Sequence, residues 1–286
     1  MVSTIRNPIE WTADQLGNAF GYVESEKLRS DESDAAEMLP RIHRIRVSDL
    51  RDALRKGYDD FKYFRTDVAL IALIYPIVGG LIIGFAFERA LIPLIFPAIA
   101  GFALVGPFAG VGMYEMSRRR EAGKEASWAD TLRVLTSPSF GAIFVLGLLL
   151  LAIFGVWILA AHGIYNATLG PETPASTGAF LQDVFGTGAG WMMIVVGFAV
   201  GFLFAVLVLI ISVVSFPLLL DRPVGLPAAI ITSARVAALN RGPIAVWGLI
   251  VAGALALGTI TLFVGLIVLL PILGHATWHL YRKAVY

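Results

Sequence analysis

Two histidines near the end of the chain have the spacing of a metal-binding pair. His275 and His279 are four residues apart within "LPILGHATWHLYRKAVY", residues 270–286. In a helix this spacing places both imidazoles on one face. Glu115 and Asp221 also follow long apolar segments, and their carboxylates could supply the further ligands that a metal ion needs. The sequence therefore offers His275 and His279 as metal ligands, with Glu115 and Asp221 as helpers.

The same stretch has a second interpretation that needs no metal. Trp278 and Tyr281 precede Arg282 and Lys283, an order typical of the aromatic and basic residues at a membrane–water interface. We favour this interfacial belt over the metal site. Two histidines on one face of a single helix cannot supply both axial ligands of a haem, and we expect no cofactor.

No other pattern of catalytic residues is recognisable in the sequence. The chain has no cysteine and only four histidines, and it shows no nucleophile elbow, phosphate-binding loop or Ser/His/Asp arrangement. No charged residue lies at the centre of a long apolar segment, where proton- and ion-coupled carriers place such groups. We therefore expect a protein that is not an enzyme.

The elements that must carry these residues are membrane spans. The chain is 57% hydrophobic and 15% charged, against roughly 25% charged residues in an average soluble domain. Its uncharged segments approach or exceed the roughly 20 helical residues that cross a bilayer core. The last two predicted spans share one uncharged block, which we expect to turn near "GTIT", residues 258–261. The six predicted spans are 68–87, 90–114, 139–164, 191–220, 243–258 and 261–281.

The distribution of basic residues orients these spans. With six spans and residues 1–67 in the cytoplasm, every Lys and Arg except Arg89 lies on the cytoplasmic side. The long outer loop, 166–190, contains no Lys or Arg. The positive-inside rule therefore predicts a multi-pass protein with both termini in the cytoplasm.

Amphipathic stretches precede the spans that run outward. They are 47–64, 127–138 and 226–243, and the first has its apolar residues at helical spacing. The predicted fold is all-α: a polytopic membrane protein with six transmembrane helices as three hairpins, each preceded by a cytoplasmic amphipathic stretch. Residues 1–44 are expected to form a partly flexible cytoplasmic extension, and residues 45–286 the transmembrane domain.

Several sequence motifs together resemble an uncharacterised family of bacterial six-span integral membrane proteins. The resemblance covers nearly the full length of the chain, and some members carry a cytochrome-oxidase-like label. It implies an inner-membrane location and the six-helix fold, and it supplies no activity or catalytic residue. The motifs are "TIRNPIEW", "GPFAGVGMYEMSRRREAG", "SPSFGAIF", "YNATLGPE", "SVVSFPLLLDRPVG" and "LGHATWHLYRK".

The expected function is that of a membrane module without catalysis. Glycines at three- and four-residue spacing in 79–84, 106–112 and 190–201 favour close helix packing within the bundle or with a partner. We expect a scaffold, an accessory subunit or a lipid-interacting protein. Its partners would be membrane lipid, other membrane proteins or a second copy of the chain, with no nucleic acid. A carrier of a small neutral or amphipathic solute is the alternative, since prolines interrupt the spans, and a metal-binding membrane protein is a weaker one.

Overall fold

A computed structural model describes residues 39–72, 77, 80, 81, 84 and 89–286. Within these residues the protein is helical, and its one β-type pairing is an isolated antiparallel bridge between Ile42 and Val285. The all-α prediction is therefore confirmed for this part of the chain. The predicted N-terminal extension lies almost entirely outside the described residues.

Eleven α-helices and three short 3-10 helices follow one another along the described residues. The 3-10 helices are Arg89–Leu94, Ala103–Val105 and Trp128–Thr136. The α-helices are α1 (Val47–Ala72), α2 (Ile95–Phe102), α3 (Gly106–Ala109), α4 (Val111–Glu121), α5 (Phe140–Thr168), α6 (Thr177–Gly186), α7 (Gly188–Ser212), α8 (Ser215–Asp221), α9 (Leu226–Leu239), α10 (Arg241–Ile260) and α11 (Leu266–Ala284).

Four helical stretches among the described residues are long and apolar enough to cross a membrane. They are Leu91–Glu121, Phe140–Thr168, Gly188–Asp221 and Arg241–Ile260, and each overlaps one predicted span. The predicted span 68–87 lies largely outside the described residues. The predicted span 261–281 corresponds to α11, which is not among the four, and its C-terminal half carries the histidines and two basic residues.

The uncharged block 242–281 is divided where the sequence predicts a turn. Helix α10 ends at Ile260, Leu262 and Phe263 have left-handed backbone with φ of 54° and 65°, and α11 begins at Leu266. Left-handed backbone is rare for residues other than glycine. The helix therefore cannot continue through these positions, and the turn predicted near 258–261 is confirmed a few residues further along.

The amphipathic helix α1 packs lengthwise against α11. Gly57 makes the closest approach: a methyl group built on it would come within 2.6 Å of the backbone nitrogen of Ala276. The N-terminal part of α1 lies beside Lys283 and its later part beside His275, so the two helices are antiparallel. The apolar face of α1 thus contacts protein, where the sequence pattern alone suggested an interfacial helix.

The two ends of the described chain are held together. The backbone N–H of Tyr286 donates to the carbonyl oxygen of Arg41, and that of His43 donates to Ala284. The Asn240 side chain accepts from the backbone N–H of Ile45 at 2.8 Å. Residues 41–45 therefore lie beside the end of α11 and the junction of α9 with α10.

Candidate functional site

A buried carboxylate on α1 is the centre of a polar cluster between three helices. Asp60 is 5% exposed and is contacted from α4 and α11. Its Oδ2 accepts hydrogen bonds from Ser117 Oγ at 2.5 Å and from His279 Nε2 at 2.9 Å. Its Oδ1 accepts from the Arg120 guanidinium at 2.6 Å. We call Asp60, Ser117, Arg120, His275 and His279 the Asp60 cluster.

These contacts offset the cost of burying the Asp60 charge. A carboxylate removed from water is tolerated when it is paired and hydrogen-bonded. Burial by itself raises the pKa of Asp60, but hydrogen bonds from His279 and Ser117 outweigh burial and hold that pKa below its ordinary value of 3.8. Asp60 is therefore ionised at neutral pH and fixes α4 and α11 against α1.

The hydrogen bonds in the cluster run in a defined direction. Because the Ser117 hydroxyl proton is donated to Asp60, its oxygen accepts from His275 Nδ1, 2.8 Å away. His275 is fully buried, stacks on Phe64, and its Nε2 makes no hydrogen bond within the described residues. A nucleophilic serine donates to the imidazole. This serine does the reverse, so the cluster lacks the polarity that activates a nucleophile.

The structure separates the four predicted metal ligands into different contacts. His275 and His279 both belong to the Asp60 cluster. Glu115 instead pairs with Arg118 at 2.8 Å, and Asp221 accepts from the Tyr281 hydroxyl at 2.7 Å. Among the described residues no group of three His, Asp or Glu side chains is arranged to hold a metal. The metal site stays a prediction, to be decided by metal bound to purified protein and its loss when both histidines are replaced.

The predicted aromatic belt is wrong for the two residues that suggested it. Trp278 and Tyr281 are 1% and 0% exposed, because both face the interior of the protein. The Trp278 indole donates to Glu121 Oε2 at 2.8 Å. Arg282 contacts Glu121 and Asp221 at 3.2 and 3.5 Å. These contacts attach α11 to the ends of α4 and α8.

The sequence contained a signal for Asp60 that the analysis above missed. On α1, the buried or tightly packed residues Leu50, Ala53, Gly57 and Phe64 form one stripe, and Asp60 occupies a position within it. An acid inside an apolar stripe at helical spacing indicates a buried partner. Ser117 and Arg120 carried no comparable signal, since their partner is more than fifty residues away.

The fold and this cluster define an integral membrane protein with several apolar helices and a buried polar junction beside them. A family model described as "Predicted integral membrane protein (DUF2189)" matches residues 95–221. The match confirms the resemblance to an uncharacterised family of membrane proteins, and it covers two of the four candidate spans and most of a third. No curated protein and no solved structure matches the chain.

Proposed function

We propose that the protein is a non-enzymatic module of the bacterial inner membrane that acts as a scaffold, an accessory subunit or a lipid-interacting protein. One observation carries this proposal. Helix α7 belongs to the most apolar candidate span, and only 6% of that span's apolar window is buried within the chain. Large side chains such as Phe202 and Leu203 are about two-thirds exposed. In a membrane, lipid or a partner helix must cover such a surface.

The charged groups buried beside the spans support the same proposal. Asp60 and Glu115 are each engaged by arginine, so these ionisable groups serve packing between helices. Ion- and proton-coupled proteins commonly keep such groups along a pathway through the membrane. A rigid junction with an apolar outer surface fits a module that holds other molecules in place.

We further propose six spans with both termini on the cytoplasmic side. Residues 41–45 contact the end of α11, so an even number of crossings must separate them. The four candidate spans satisfy this condition, and so do six. The basic residues predict which side this is.

Cross-linking from α7 tests the module proposal. A photoreactive amino acid placed at Phe202 is expected to capture a membrane protein or a second copy of the chain in intact membranes. The same residue at Leu249, which is exposed on α10, is the matched control. Purified protein that moves a solute across liposomes without partners would contradict the proposal.

A carrier remains the second candidate because one span is irregular. The stretch Leu91–Glu121 contains the 3-10 segment Ala103–Val105 and the prolines Pro93, Pro97 and Pro107. Interrupted helices build the binding sites of several transporters. Uptake of neutral solutes into liposomes that contain only this protein separates the two functions.

A further inference from the structure

A cavity with basic walls lies where three candidate spans end. Its volume is about 440 Å³, within the range of small-molecule sites. It is bordered by the end of α4, the segment before α5 and the end of α8. The charged residues that line it are Glu115, Arg118, Arg119, Arg133, Asp221 and Arg222.

The charges around this cavity favour an anion. Four arginines face two carboxylates, so the lining has an excess of two positive charges. Glu115 neutralises Arg118 at 2.8 Å, and Asp221 lies 3.8 Å from Arg222. Arg119 donates to the backbone carbonyl of Glu125, an acceptor that leaves the guanidinium charge uncompensated by that contact. Guanidinium groups are well suited to bind phosphate.

The N-terminus of a long helix adds to the positive potential. Ser137, Pro138 and Ser139 line the cavity, and α5 begins at Phe140 and continues for 29 residues. The first N–H groups of a helix and its dipole attract negative charge. Arginines, helix dipole and cavity therefore act on the same point in space.

The position of the cavity identifies the source of the anion. The candidate spans end or begin at Glu121, Phe140 and Asp221, which places the cavity at the depth of the lipid headgroups. Basic pockets between spans at this depth bind anionic lipids. We propose that the cavity binds the phosphate of an anionic glycerophospholipid, which deepens the lipid-interacting role proposed above and rests on it.

Native mass spectrometry of the detergent-solubilised full-length protein tests this proposal. Phosphatidylglycerol is expected to bind more tightly than phosphatidylcholine with the same acyl chains. Arg133→Gln should weaken phosphatidylglycerol binding about fivefold, as expected for one arginine near an anionic headgroup. Arg119→Gln combined with Arg133→Gln should weaken it on the order of twentyfold. Arg235→Gln, an exposed arginine on α9 outside the cavity, should leave binding unchanged.

Three results would overturn the assignment. Equal binding of the two lipids would remove the anion preference, and equal effects of Arg133→Gln and Arg235→Gln would remove the cavity. Competition by inorganic phosphate at the same concentration as phosphatidylglycerol would show that free phosphate is the ligand. Solute transport by the protein alone would contradict the module proposal without changing the Arg133 result, so the two failures are distinguishable.

Discussion

The carboxylate of Asp60 and the imidazole of His279 are joined by a hydrogen bond of 2.9 Å although 219 positions separate them in the chain. The bond connects α1 to α11 at the point where Ser117 and Arg120 of α4 also reach the carboxylate. A single side chain therefore fixes three helices. The predictions that follow test this junction, the packing around it and the orientation of the chain.

Removing the charge of Asp60 should destabilise the protein. Asp60→Asn keeps the size of the side chain but weakens the contacts with Arg120 and His279. We expect a loss of about 2 kcal/mol, typical of a hydrogen bond to a charged group, seen as a lower melting temperature in mild detergent. Asp59→Asn is the control, because Asp59 makes an exposed contact with Lys62 and such pairs contribute little. Equal effects of the two changes would contradict the junction.

The stabilisation from Asp60 should disappear in acid. Its pKa in the folded protein lies below the ordinary value of 3.8, because hydrogen bonds from His279 and Ser117 outweigh the opposing effect of burial. A lowered pKa means that the contribution is complete above pH 3.8 and is lost as the pH falls further. Melting temperatures of the wild type and Asp60→Asn should therefore converge between about pH 5 and about pH 3. A constant difference across this range would contradict the prediction.

The close contact between α1 and α11 should not tolerate a larger residue at Gly57. A Cβ atom there would lie 2.6 Å from Ala276 N, so Gly57→Ala must push the helices apart. Overpacking of this kind costs about 2 kcal/mol, measurable by thermal unfolding. Gly253→Ala on α10 meets nothing within 4 Å, and helix propensity predicts an unchanged or slightly higher stability. A loss at Gly253 as large as that at Gly57 would contradict the packing argument.

The proposed orientation can be measured with single cysteines, because the chain has none. Glu172→Cys lies in the predicted outer loop, and Lys124→Cys lies in a predicted cytoplasmic loop. A membrane-impermeant maleimide added to intact cells with a permeabilised outer membrane should label Glu172→Cys alone. Breaking the inner membrane should expose Lys124→Cys. Labelling of Lys124→Cys in intact cells would reverse the orientation.

The sequence by itself determined the helical class, four of the spans and the turn between α10 and α11. Long uncharged segments such as 139–164 and 191–220 have one favourable solution in a bilayer. Lipid offers no partner for backbone N–H and C=O groups, so each segment must satisfy them internally as a helix. This information is local, and composition is sufficient to read it.

Only the tertiary structure decided what surrounds the polar residues. The sequence placed Trp278 and Tyr281 in a belt at the membrane surface, whereas packing against α4 and α8 buries both. It grouped His275 with Glu115 and Asp221, whereas the fold brings His275 to Ser117 and His279 to Asp60. A polar side chain near the end of a span can be solvated by water, by headgroups or by another helix. Which of these it meets depends on contacts between segments distant in the chain, and helical periodicity carries no information about them.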